Sequence, residues 1–119
     1  ASSIAAYETA NSFDNDNLTM SGSTGVDIRT TVSSAGLYTG ASGSSNVFIT
    51  STSGLNFQIA GINTLGASNL ALSFGIYKST TSSNGSDFVV EVSSDGINYT
   101  PLTYAALPTG SGTATWYLR

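Results

Sequence analysis

The sequence has no cysteine and no histidine, only three basic residues, two prolines and one tryptophan. Without cysteine there is no disulfide and no thiolate zinc site. Without either residue, the commonest thiol nucleophile and the commonest acid/base group are both missing. The basic residues are Arg29, Lys78 and Arg119, set against seven acids, for a net charge of −4. A chain so poor in cations has no basic stripe, which argues against nucleic acid as a partner. No long hydrophobic run occurs, so no membrane-spanning segment is expected. No stretch pairs a basic start with an apolar middle, so no secretory leader is expected within these residues.

Hydroxyls, amides and glycine take the place of charge. Ser, Thr, Gly and Asn supply 59 of the 119 residues, while charged residues make up 8%, against about 25% in an average soluble domain. The hydrophobic fraction of 39% and twelve aromatic residues can still form a core, which distinguishes the chain from disordered sequences. The length fits one domain.

Apolar residues alternate or come in short runs, and Gly/Ser-rich turns break them every few residues, a pattern that predicts an all-β sandwich or barrel. Strands are predicted at Ser3–Glu8 and Leu18–Met20, while Ser21–Ser45 reads as long loops with short edge pieces around a brief core at Val26–Thr30. Val47–Thr50 and Leu55–Ile59 flank Ser51-Thr52-Ser53-Gly54, which reads as a hairpin turn. Leu70, Leu72, Phe74 and Ile76 alternate with Ala71, Ser73, Gly75 and Tyr77, giving a strand with one apolar face and one small-residue face. Phe88 to Val92 forms the next strand. Asp95-Gly96 then supplies the positive φ that a tight turn needs. The chain returns through Ile97–Tyr104, where Pro101 marks an edge. A last strand, Ala114–Leu118, stops at Arg119 with no polar tail. Residues 1–119 are therefore expected to be a single β-sandwich module excised from a larger protein.

Tyr7-Glu8-Thr9, the Gly-rich loops that follow, Leu70–Phe74 and Asp87–Gly96 resemble the jelly-roll modules of secreted multidomain proteins. Among these are MAM-like and cleaved-adhesin-like domains and many carbohydrate-binding modules. Val26–Thr31, Tyr38–Gly43, Ile59–Asn63 and Leu107–Trp116 are similar to accessory modules of exported enzymes from marine and gut Bacteroidetes-type bacteria. The resemblance implies a jelly-roll β-sandwich of two antiparallel sheets, secreted or displayed at the cell surface. It also implies a structural calcium, with Glu8 at the end of the first strand and Asp27 in a following loop as ligands. The family's last acidic ligand has no counterpart in Trp116-Tyr117-Leu118-Arg119.

The acids offer little for catalysis. Asp87 and Glu91 share a strand face about 13 Å apart by strand rise, beyond the roughly 5–9.5 Å of a glycosidase pair. Lys78 has no evident partner that would make it a nucleophile. Asp14-Asn15-Asp16-Asn17 places oxygen ligands at alternate positions but lacks the glycine and distal glutamate of a calcium loop; it reads as a polar turn. Asn17, Asn84 and Asn98 open N-glycosylation patterns, which carry no weight under the bacterial origin that the resemblance implies.

Sugar recognition needs an aromatic face and a few placed polar groups. Tyr77 stands at the end of the small-residue face. Lys78 lies beside it at the strand end, and Asn84 lies in the following loop. These three are expected on one side of a glycan site, with Arg29 and Tyr38 on the other. Trp116 is expected in the core, while Tyr99 and Tyr104 suit either a core edge or a ligand platform. The expected function is non-catalytic carbohydrate binding by a monomer tethered to a polysaccharide-degrading enzyme, with an algal polysaccharide as partner. A structural or adhesion spacer is the alternative, and an enzyme a weaker third.

Overall fold

The computed structural model describes residues 1–11 and 17–119. Within them lie nine short strands and one helix. These are β1 (Ser2–Ser3), α1 (Ile4–Asn11), β2 (Thr19–Gly22), β3 (Asp27–Arg29), β4 (Asn46–Phe48), β5 (Phe57–Ala60), β6 (Gly75–Tyr77), β7 (Val90–Val92), β8 (Thr100–Leu102) and β9 (Trp116–Leu118). All strand pairing is antiparallel. The expected β class therefore holds in its coarse form, as small antiparallel sheets with one short helix. The Asp14–Asp16 part of the expected polar turn lies outside the described residues.

The chain divides into two compact units. The first comprises Ala1–Ala35 and Ser42–Leu70, the second Gly36–Ala41 and Ala71–Arg119. The first unit holds α1, the sheet β1-β3-β4 and the pair β2-β5. The second holds the pairs β6-β9 and β7-β8.

The N-terminal strand expected over Ser3–Glu8 is instead a helix from Ile4 to Asn11. Three alanines and Glu8 favour helix. Ser3 caps it, its Oγ accepting the Ala6 amide at 3.3 Å, the bond an N-cap residue makes to the third helical amide. Ile4 is buried, and Tyr7 and Glu8 are half-buried. Positions 4, 7 and 8 share one helical face, so a pattern read as alternation is a helical stripe. Ile4 and Val26 are the buried apolar residues of this unit.

The hairpin expected at Ser51–Gly54 does not form. β4 pairs with β3, and β5 pairs with β2 from Thr19↔Ala60 to Gly22↔Phe57. Bonds from the Ser23 amide to the Asn56 carbonyl (3.0 Å) and from the Asn56 amide to Ser23 Oγ (3.1 Å) extend the second pairing. A local turn signal is overridden here by partners far away in sequence.

In the second unit the long strand expected over Leu70–Tyr77 is short. Regular strand covers Gly75–Tyr77, and Leu70 and Leu72 are exposed. Paired bonds between Phe74 and Arg119 (2.7 and 2.9 Å), and from the Lys78 amide to the Thr115 carbonyl (3.3 Å), continue the β6-β9 ladder at both ends. One face of this ladder presents Gly75, Tyr77, Trp116 and Leu118, since directly opposed residues share a face. Phe74 on the other parity packs edge-on to Tyr104 at 5.4 Å and tilted to Phe88 at 6.2 Å. The Tyr104 hydroxyl places its one proton between the carbonyls of Gly85 (2.8 Å) and Phe88 (2.5 Å). Partial burial, then the charge of Asp87, raises the Tyr104 phenol above its usual value.

The β7-β8 hairpin forms as its Asp-Gly turn predicts. Gly96 has φ +73°, a region that favours glycine. Asp95 Oδ1 accepts the amides of Ile97 and Asn98, both at 2.8 Å, while Oδ2 accepts Asn98 Nδ2 at 2.7 Å. These bonds, the Asn98 amide foremost, hold the Asp95 carboxyl well below the usual carboxylate range. Pro101 sits opposite Glu91 in this two-stranded sheet, where both strands are edges and a missing N–H is tolerated.

Candidate functional site

The ladder face bearing Gly75, Tyr77 and Trp116 carries the aromatic grouping of the second unit. Tyr77 and Trp116 are directly opposed, with ring centroids 5.6 Å apart and planes tilted by 48°. Tyr38 approaches Trp116 from the Gly36–Ala41 segment, with centroids 6.2 Å apart. Gly75 is what lets Tyr38 in, since a Cβ there would overlap the Tyr38 hydroxyl and lie 2.7 Å from its ring edge. The expected trough of small residues therefore exists at Gly75, and Tyr38 fills it. The base of this loop is pinned by Ser34, whose amide donates to the Gly43 carbonyl at 3.1 Å and whose Oγ accepts the Gly43 amide at 3.2 Å.

Trp116 is buried as the sequence implies, at 9% exposure, yet its indole Nε1 has no hydrogen-bond partner among the described residues. A buried donor left unmade costs about 1–3 kcal/mol. Tyr77 is 38% exposed and forms the open end of the grouping. Trp116, assigned to the core from sequence, is thus a part of the site that sequence reasoning missed. Its opposition to Tyr77 depends on a register that no local pattern reveals.

Lys78 differs from its expected role as a sugar-contacting cation. It lies on the same parity as Phe74 and Ile76 and is 6% exposed. Its Nζ donates to the Ser83 carbonyl at 2.8 Å and to the Pro108 carbonyl. The ammonium ties two loops together. Asn84 is exposed within one of them, its Oδ1 accepting the Ser86 amide at 3.1 Å and its carbonyl accepting the Leu107 amide at 2.8 Å.

Arg29 belongs to the first unit. Its Nε donates to Asp27 Oδ1 at 2.8 Å, and its guanidinium lies 3.5 Å over the Phe48 ring centroid, a cation–π stack. It borders an open hollow of about 380 Å³ with Tyr7, Thr30 and Thr31. Tyr38, Tyr77, Lys78 and Asn84 belong to the second unit.

The acids expected to hold calcium have protein partners. Glu8, on α1 and not at a strand end, accepts the Met20 amide at 3.0 Å through Oε1. Asp27 pairs with Arg29. Among the described residues no three acidic side chains converge as a metal-ligating group. The acids weighed for catalysis are otherwise placed. Asp87 accepts Ser83 Oγ at 3.4 Å, Glu91 is exposed on β7 opposite Pro101, and Asp95 is committed to its turn.

What the aromatic grouping offers chemically is a partly open phenol ring backed by a buried indole. Such a surface suits the C–H face and hydroxyls of a sugar. Comparison with protein-family models, curated proteins and solved structures finds no match.

Proposed function

We propose that this chain is a non-catalytic carbohydrate-binding module of jelly-roll type, acting outside the cell to hold an attached polysaccharide-degrading enzyme on its substrate. The observation that carries the reading is the Tyr38–Tyr77–Trp116 grouping on one ladder face, with Tyr77 open to solvent and the Trp116 donor unmatched. Tethering raises the effective concentration of the catalytic partner at the polymer, so weak single-site affinity suffices. A structural calcium, implied by the resemblance, would draw on the acceptor positions Glu8 and Asp27 keep beyond their bonds to the Met20 amide and Arg29. Glycan binding does not depend on it.

The test is affinity electrophoresis in gels containing polysaccharide. Retardation is expected for the native chain. It should fall about tenfold or more in Tyr77→Ala, in keeping with the weight aromatic anchors carry at binding surfaces. Unchanged mobility of the native chain on every polymer would remove the reading.

A further inference from the structure

We propose that the Tyr38–Tyr77–Trp116 site takes an uncharged glycan and discriminates against sulfated and uronic-acid polymers. This rests on the carbohydrate-binding reading and narrows it to a substrate class. Recognition of a sulfate or carboxylate calls for a free cation, above all an arginine fork. The chain has three cationic side chains, and each already has partners within the protein, Arg29 staying about a third exposed. Arg29 is paired with Asp27 and stacked on Phe48. Lys78 is buried with its ammonium on the carbonyls of Ser83 and Pro108. Arg119 donates from Nε to the Ala105 carbonyl (2.7 Å), from Nη1 to its neighbour Leu118 (2.7 Å) and from Nη2 to Ala106 (3.0 Å).

The wider charge runs the same way. The second unit sets Asp87, Glu91 and Asp95 against Lys78 and Arg119, and the whole chain carries −4, so a polyanion meets net repulsion. What the site does hold is neutral. It has phenol and indole rings, two phenol hydroxyls and one unmatched indole N–H. The indole N–H is buried within this grouping, so the exposed Tyr77 ring is the surface a glycan meets.

The experiment uses the full chain with laminarin, xyloglucan and galactomannan as neutral polymers and with ι-carrageenan, alginate and polygalacturonate as anionic ones. Two quantities are followed, binding affinity and the emission of Trp116, the sole tryptophan. Binding to at least one neutral polymer is expected, with a change in Trp116 emission. Affinity should vary less than about twofold between about 50 and 500 mM NaCl, because no ion pair is there to be screened. Tyr77→Ala should lose the affinity and Tyr77→Phe, which keeps the ring, should retain it.

Binding to the anionic polymers alone, weakening about tenfold or more over the same salt range, overturns the inference and leaves the carbohydrate reading standing. So does binding to a neutral polymer with both Trp116 emission and the Tyr77→Ala affinity unchanged, since the site then lies elsewhere. Failure to bind all six overturns the inference and the carbohydrate reading together.

Discussion

At the scale of single residues, Lys78 shows how a rare charge is used in a chain that has so few. Its buried ammonium bridges the carbonyls of Ser83 and Pro108, fastening the loop that follows β6 to the one that precedes β9. Lys78→Met keeps the length and apolar bulk of the stem but leaves two carbonyls unmatched. It should destabilise the fold by about 2 kcal/mol, read as a lower midpoint in urea. A variant of unchanged stability would show that the clip contributes nothing. The parity of Lys78 with Phe74 and Ile76 is readable in the sequence. Its burial is not, since lysine is almost never buried without partners, and these partners are carbonyls of distant loops.

At the scale of elements, the β7-β8 hairpin was the most legible part, and the reason is local. Asp95, Gly96 and Asn98 hold all the information the turn needs within a few residues. The carboxyl of Asp95 is held below its unfolded value, so its contribution is complete above the unfolded pKa of about 3.9 and fades only as pH falls below that. The amide signals of Ile97 and Asn98 should therefore stay unchanged in an NMR titration from neutral pH to about pH 4 and move only in stronger acid. Movement centred near neutral pH would contradict the geometry. Helix α1 was illegible for the opposite reason. Ile4, Tyr7 and Glu8 satisfy a helical stripe, but six residues are too few to separate that from alternation, and the Ser3 cap decides between them. The β2-β5 pairing escaped notice because the Ser51–Gly54 signal is real as a turn yet says nothing about which strands it separates.

At the scale of the whole molecule, low charge sets the solution behaviour. With a net charge of −4 and an isoelectric point near 4.1, the chain loses its mutual repulsion on mild acidification. Exposed apolar side chains such as Leu37, Leu65 and Ile97 are then free to associate. Turbidity should peak close to pH 4.1 and clear on return to neutral pH; a chain that stays clear throughout would mean its hydroxyl and amide surface keeps it soluble without charge. The sequence pattern foretold the β class in its coarse form and the burial of Trp116. It did not foretell that Tyr38 would come to rest over Gly75, a contact that joins residues almost forty positions apart.

The division of the chain has a bearing on cloning. The six residues Gly36–Ala41 belong with the second unit although both their flanks belong with the first. Neither unit is a continuous stretch of gene. A cut after Leu70 would send Tyr38 into one product and Tyr77 and Trp116 into the other, so each half would be missing part of the aromatic grouping.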